Sequence, residues 1–242
     1  IVQITNNMGK TTGTKDKILH DHLIILYNCW SAIMCYIVIY ALFKTSKKWL
    51  KRHLSDKYVK LSKDNSYRSR AAFKLIEIID KYKVLKSVQS VIDLGAAPGS
   101  WSEVLVERIK SPKKIIAIDL LHIDPLPGVE IIQGDFTSTK FETYIETLSP
   151  FDLVISDISP NLSGNKTADF LRMQESIEVA MDISLKSLSK GGHFVAKYFL
   201  TGDMSHLITL AKRNFSKVSS FKPDSSRKES SEIYLICLNK KN

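Results

Sequence analysis

Five charged residues stand at or just beyond the ends of apolar, largely β-branched runs: Asp93, Asp119, Asp135, Asp157 and Lys197. Lys197 follows the run His193–Ala196, so its stem would be buried while its head points at a site. Burial and a neighbouring cation both lower a lysine's proton affinity, and a neutral lysine can take a proton from a hydroxyl. A lysine that simply snorkels at a strand end is the plainer alternative. The acids suit a ligand rich in hydroxyl and amino groups. Asp119 follows Asp93 at about the ~20-residue interval of a ribose-binding acid in nucleotide-binding βαβ units, and its carboxylate can accept from both ribose hydroxyls. Asp135, in Gly134-Asp135-Phe136, can accept from an adenine amino group while Phe136 packs on the ring. The same Gly-Asp pair is also ordinary turn chemistry.

The loop that would bring these groups to a ligand is Val91-Ile92-Asp93-Leu94-Gly95-Ala96-Ala97-Pro98-Gly99-Ser100-Trp101. Gly95 and Gly99 allow close backbone approach, and Ala96 and Ala97 add little bulk. The second glycine of G-x-G-x-x-G is absent and Pro98 stiffens the turn. These features favour a ligand without phosphates over a pyrophosphate, and S-adenosylmethionine fits. An ordinary βα turn is the alternative. Asp157 lies in Ser156-Asp157-Ile158-Ser159-Pro160-Asn161. Its single proline, three residues after the acid, departs from the D/N-P-P-Y/F arrangement of enzymes that methylate amino groups of bases.

The elements that must hold these residues follow from periodicity. Strands are predicted at Val91–Leu94, Ile115–Asp119, Val129–Gln133, Phe151–Ser156 and His193–Ala196, with a closing pair at Lys217–Phe221 and Ile233–Leu238. Helices are predicted at Ser69–Tyr82 (stripe Ala72, Leu75, Ile76, Ile79), Ser100–Lys110, Asp169–Ser189 and Met204–Asn214. Gly191 and Gly192 should end the third of these. Its apolar face would carry Phe170, Met173, Ile177, Met181, Leu185 and Leu188. Lys222–Ser231 reads as a polar loop. Apolar strands alternating with helices predict an α/β fold with a mostly parallel, doubly wound sheet flanked by helices, its ligand at the carboxyl ends of the strands.

The 242 residues suit one such domain with an appendage, and the net charge of +10 suggests a polyanionic partner such as RNA, or an anionic membrane surface. Cys29, Cys35 and Cys237 form no zinc-ligand pattern, so reduced thiols and no metal are expected. Leu23–Phe43 is about the ~20 residues a bilayer span needs. The cations after it, Lys44 to Arg52, would keep the rest on the cytosolic side. A membrane anchor, an organelle-targeting segment and a gene-model artefact such as a retained intron compete here, and Met8 could be the true start. The expected division is an extension over residues 1–44 and a catalytic domain over 45–242. Cations and aromatics interleave from Ser46 to Arg70, which suits a nucleic-acid backbone with occasional base stacking. A solvated helix is the alternative.

The region from Lys47 to Leu238 resembles the FtsJ-like RNA 2′-O-ribose methyltransferases. The matching runs are Trp49-Leu50-x-x-His53-x-Ser55-Asp56-Lys57-Tyr58-Val59, Arg68-Ser69-Arg70-Ala71-Ala72-Phe73-Lys74-Leu75, and Asp93 to Ser102. They continue through Gln133-Gly134-Asp135-Phe136, Ser156-Asp157-x-x-Pro160-Asn161-x-Ser163-Gly164, Lys222-Pro223-Asp224-Ser225-Ser226-Arg227 and Glu232-Ile233-Tyr234. The resemblance implies a Rossmann-like fold and a Lys-Asp-Lys-Glu tetrad at Lys74, Asp157, Lys197 and Glu232. Lys197 would deprotonate a ribose 2′-hydroxyl, Lys74 would help to keep it neutral, and the two acids would orient the lysines and the hydroxyl. It implies S-adenosylmethionine as cofactor, S-adenosylhomocysteine as product and no metal. The expected cofactor set is Asp93, Gly95, Ala96, Ala97, Pro98, Gly99, Trp101, Asp119, Leu120, Asp135, Phe136 and Asp157. The expected RNA-binding set is Lys47, Lys48, Lys51, Arg52, Lys60, Arg68, Arg70 and Arg227. The run from Trp49 to Val59 looks most like members that modify a uridine of large-subunit ribosomal RNA. A transfer-RNA enzyme, faintly echoed by Met8-Gly9-Lys10, is the first alternative. A catalytically silent ribosome-assembly factor is the second. The expected state is a monomer inside the cell, in a mitochondrion or other organelle ahead of the cytoplasm or nucleolus.

Overall fold

The computed structural model describes residues 54–159, 164–200 and 203–241. The chain divides into two units, Ile1–Asp56 and Lys57–Asn242, and nearly all described residues lie in the second. The apolar segment Leu23–Phe43, Met8, Trp49 and the cations Lys47, Lys48, Lys51 and Arg52 lie outside the described residues, as do Pro160, Asn161 and Ser163. Among the described residues, no helix is long and apolar enough to cross a membrane.

The second unit is a seven-stranded sheet with helices on both faces. In chain order the elements are α1 (Lys57–Asp64), α2 (Ala72–Tyr82), β1 (Ser90–Leu94), α3 (Ser100–Arg108), β2 (Lys114–Asp119), β3 (Glu130–Gln133), α4 (Thr139–Leu148) and β4 (Phe151–Ser156). Then come α5 (Lys166–Ser187), β5 (Leu188–Phe199), α6 (Ser205–Asn214), β6 (Phe215–Phe221) and β7 (Glu232–Lys240). The strand order is β3-β2-β1-β4-β5-β7-β6. β1 to β5 are parallel, and β7 runs antiparallel to both its neighbours, β5 and β6.

β1 is buried along its whole length because helices cover both faces of the sheet. Its side chains alternate between two cores. Ile92 and Leu94 join Ile116, Ile118, Val154 and Phe194, covered by Ile177 and Met181 of α5 and Leu207 of α6. Val91 joins Leu153, Ile155, Val195, Tyr234 and Ile236, covered by Leu75 and Ile78 of α2 and by Trp101 and Leu105 of α3. Each fully buried aliphatic side chain contributes ~1.5–3 kcal/mol relative to exposure. The period of two also sorts the charges. Asp93, Asp157, Lys197, Glu232 and Tyr234 share parity with Val91, Ile155, Val195 and Ile236, so they face the α2–α3 side.

Several elements depart from the sequence expectation. α2 starts at Ala72, and Ile78 rather than Ile76 takes the buried place in its stripe. α5 starts at Lys166, because the Asn165 side chain accepts from the N–H groups of Thr167 (3.1 Å) and Ala168 (3.2 Å). It ends at Ser187, ahead of Gly191 and Gly192, which belong to β5. There the β4–β5 register shifts between Phe151 and Leu153, and Gly191 takes φ +82°. Lys197 therefore stands inside β5 instead of following it, since pairing with β7 extends β5 to Phe199. α1 falls in the basic stretch whose alternative reading is a helix, whereas α4 lies where no element is predicted. α4 buries Ile145 fully, with Phe141 and Leu148 of the same stripe packed against the core beside it.

Candidate active site

Four elements bring Lys74, Asp157, Lys197 and Glu232 together. Lys74 is carried by the first turn of α2, Asp157 follows β4, Lys197 lies on β5 and Glu232 opens β7. Register places the last two: Lys197 pairs with Tyr234 and Phe199 with Glu232. Because β7 is reversed, its first residues lie beside the carboxyl ends of the parallel strands. Lys74 Nζ is 2.8 Å from Glu232 Oε1 and 3.8 Å from Asp157 Oδ2. Lys197 Nζ is 3.1 Å from Asp157 Oδ1 and donates to the Asp157 carbonyl at 2.7 Å. Asp157 thus sits between both lysines. Burial opposes its charge, but Lys197, Lys74 and the Tyr234 hydroxyl outweigh that and hold its carboxyl below the ordinary range. Lys197 is only 4% exposed, so it reaches the cleft with its charged end alone.

Sequence reasoning missed two members of this cluster. The Tyr234 hydroxyl donates to Asp157 Oδ1 at 2.6 Å, and its ring lies 5.7 Å from Trp101. Burial, then Asp157 and Glu232, push this phenol well above its ordinary value, so it stays protonated and can donate to Asp157. Ser226 Oγ donates to Glu232 Oε1 at 2.8 Å. The signal for Tyr234 was its spacing: two residues after Glu232 on a strand means the same face. Ser226 carries no such signal.

The loop after β1 is held from both sides. Gly95 and Ala96 donate to the Ile118 carbonyl, and the Ala97 N–H donates to Asp119 Oδ2 at 2.8 Å. Asp119 Oδ1 accepts from the Leu121 N–H, also at 2.8 Å. Protein atoms occupy the place a Cβ would take at Gly95 and Gly99, while Gly95 itself borders the cleft. A Cβ on Gly95 (φ +73°) would meet Ile158 at 2.8 Å, and one on Gly99 (φ +102°) would meet Arg68 Nη1 at 2.7 Å. Asp93 accepts from Ser102 Oγ through Oδ2, at 2.8 Å, while its buried Oδ1 has no partner. Burial pushes the Asp93 carboxyl up to about 7 against the Ser102 hydrogen bond, and Asp157 and Asp119 add to the rise.

Two adjoining recesses open at this end of the sheet. The smaller is lined by Asp93, Gly95, Ala96, Ala97, Pro98 and Trp101. The larger, about 600 Å³, is lined by Asp119, Leu120, Asp135, Phe136, Asp157 and Lys197, with Arg172, Glu175 and Ser176 of α5 opposite. Gly95, Ala97 and Asp157 border both. Every expected cofactor residue except Gly99 lines one of them. Gly99 instead caps α3. Asp135 Oδ1 accepts from the N–H and hydroxyl of Thr137, and Phe136 is packed into the core while edging the cleft. Trp101 Nε1 donates to the Ala71 carbonyl at 2.9 Å, fixing α3 to the start of α2. The α5 residues in the wall were not anticipated.

Among the described members of the RNA-binding set, Arg70 and Arg227 are neighbours. Lys60 is exposed on α1. Arg70 donates to the Ser225 carbonyl, and burial and the neighbouring Arg227 lower its proton affinity. Arg68 is heavily bonded within the protein while 19% of its side chain stays exposed. Its Nη1 donates to the Pro98 and Asp124 carbonyls, Nη2 to the Pro125 carbonyl, and Nε pairs with Glu103 at 3.1 Å. The guanidinium thus ties the loops after β1 and β2 together. Among the described residues, no cluster of His, Cys, Asp and Glu is placed to hold a metal.

The strand order, the single reversed strand and the small-residue loop at the cleft define a Rossmann-like methyltransferase fold. The FtsJ-like methyltransferase family model matches residues 67–240. The chain belongs to that family, whose members in general use S-adenosylmethionine. It is 46% identical over 195 residues to the ribosomal RNA large subunit methyltransferase E of Francisella philomiragia, covering 79% of this chain and 95% of that one. The protein of the same name from Methylobacillus flagellatus is 41% identical over 201 residues, covering 82% and 97%. A solved Plasmodium falciparum structure, provisionally described as a ribosomal RNA methyltransferase, matches with a TM-score of 0.64 and 35% identity, covering 72% of this chain and 98% of that one. This chain is therefore an enzyme of the methyltransferase class.

Proposed function

We propose that the protein methylates a ribose 2′-hydroxyl of RNA, on a uridine of large-subunit ribosomal RNA, with S-adenosylmethionine as donor and residues 45–242 as the catalytic unit. The convergence of Lys74, Asp157, Lys197 and Glu232 at the lip of the cleft carries this reading. The names of the bacterial relatives support ribosomal RNA as substrate. The cleft residues fit the cofactor. Asp93 Oδ1 is a buried acceptor lacking a donor, suited to an amino group, and Asp119 and Asp135 bring carboxylates to a cavity of nucleoside size. When bound, S-adenosylmethionine supplies an activated methyl group that a ribose oxygen can take in line.

The chain's own residues then have separable roles. Lys197, in its neutral form, takes the 2′-hydroxyl proton at Nζ. Asp157 holds Lys197 in place through its carbonyl and Oδ1. Lys74 supplies a fixed positive charge beside the reacting oxygen, and Glu232 fixes Lys74. The burial of Lys197 keeps water from competing for the proton. The test is methyl transfer from labelled S-adenosylmethionine to undermethylated large ribosomal subunits, their free RNA and transfer RNA. Lys197→Ala is expected to abolish transfer while leaving cofactor affinity unchanged, and full activity in that variant refutes the base assignment. Transfer to transfer RNA alone would move the substrate. Cofactor and RNA binding without transfer in the wild type would make the protein a silent assembly factor.

A further inference from the structure

Glu77 lies one turn along α2 from Lys74, on the neighbouring surface of the helix. Both its oxygens are used. Oε2 accepts from the Asp224 N–H at 2.6 Å and Oε1 from the Ser225 N–H at 2.9 Å. A carboxylate that receives two consecutive backbone N–H groups makes charge-assisted bonds and fixes the loop that offers them. That loop, between β6 and β7, leads directly to the site. Its next residue, Ser226, donates to Glu232 Oε1, and Glu232 receives Lys74. α2 therefore holds the Lys74–Glu232 pair from both ends: it carries Lys74 itself, and through Glu77 it anchors the loop that orients Glu232.

We infer that Glu77 is a positioning residue for methyl transfer, acting on Lys74 through Ser225, Ser226 and Glu232. The inference rests on the reading of the four charged residues as catalytic machinery. Losing the Glu77 anchor leaves the 224–226 loop tied at Ser225 by Arg70 and loosens it against α2. Glu232 then loses the donor that fixes its rotamer, and Lys74 loses a partner at fixed distance. Neither cofactor recess includes Glu77 or this loop, so the effect belongs to turnover and not to cofactor binding.

The experiment measures kcat, KM for S-adenosylmethionine and cofactor Kd in the full chain, with undermethylated large ribosomal subunits as the RNA probe. Glu77→Ala is expected to lower kcat about tenfold while leaving cofactor KM and Kd within twofold. Glu77→Gln, which keeps one acceptor oxygen, should recover part of the loss. Ser226→Ala interrupts the same chain one link on, so Glu77→Ala and Ser226→Ala should combine less than multiplicatively. A wild-type kcat in Glu77→Ala, a cofactor Kd that weakens in step with kcat, or fully multiplicative losses in the double variant would each overturn the inference. Glu232→Ala separates this outcome from the underlying one. Full activity there removes the tetrad reading itself. An inactive Glu232→Ala beside a fully active Glu77→Ala removes only the role of Glu77.

Discussion

Burial raises the Asp93 carboxyl to about 7, whereas the unfolded chain binds the same proton near 3.8. Between those values the folded protein holds the proton more tightly, so this contribution to stability is complete below the unfolded value and is lost as pH rises through about 7. Asp93→Asn removes that loss. The variant is expected to gain in melting temperature over the wild type at pH 8 relative to pH 5. It should also lose roughly tenfold or more in S-adenosylmethionine affinity, the scale of one charge-assisted hydrogen bond, measurable by calorimetry. Arg68 makes the converse case. Arg68→Ala frees the Pro98, Asp124 and Pro125 carbonyls and unclamps the cofactor loops. About a tenfold loss of cofactor affinity is expected with little change in RNA binding; a pure RNA defect would contradict the clamp. Arg68 could not be recognised from the sequence. Its partners are backbone carbonyls 30 to 57 positions away, and a cation inside a basic run looks like surface. Lys74, Asp157 and Glu232 were legible because each sits in a local run that matches the family, and Lys197 because it stands near the end of an apolar strand. Strand parity then aligns Asp157, Lys197 and Glu232 on the face that α2 covers.

At the level of elements, alternation on short parallel strands was readable because both faces are apolar and the acids break the pattern at one end. The turn from α5 into β5 was not. Gly191 and Gly192 carry the composition of a helix stop, yet the helix has already ended and they accommodate a register shift between β4 and β5. α4 carries Phe141, Tyr144, Ile145 and Leu148 at helical spacing, so its stripe stands in the sequence although the reading of strands and helices passes over it. The start of α5 is set by a cap rather than by periodicity. Asn165→Ala removes both capping bonds and is expected to cost ~1 kcal/mol, or ~2–4 °C in melting temperature for a domain of this size, without changing cofactor affinity. Gly95→Ala combines a left-handed backbone with a contact at 2.8 Å to Ile158. It should cost more, on the order of 1–3 kcal/mol, and should weaken cofactor binding because the loop bearing Ala97 must shift.

Over the whole chain, the formal charge of +10 has a direct reading in solution. Association with RNA should weaken steeply with added KCl, log K falling in proportion to log salt with a slope near the number of phosphates neutralised. Cofactor affinity should stay nearly flat over the same range, because its recesses are lined mainly by acids, backbone and apolar groups. Filter binding over a salt series, with a parallel calorimetric titration, separates the two. The reversed β7 has a consequence for folding. This strand follows β6 in the chain but is inserted between β5 and β6, and it brings in Glu232 and Tyr234. β5 and β6 are joined only once β7 has entered between them, a non-local pairing of the kind that closes slowly. The Lys74–Glu232 contact therefore cannot form before this edge of the sheet is assembled.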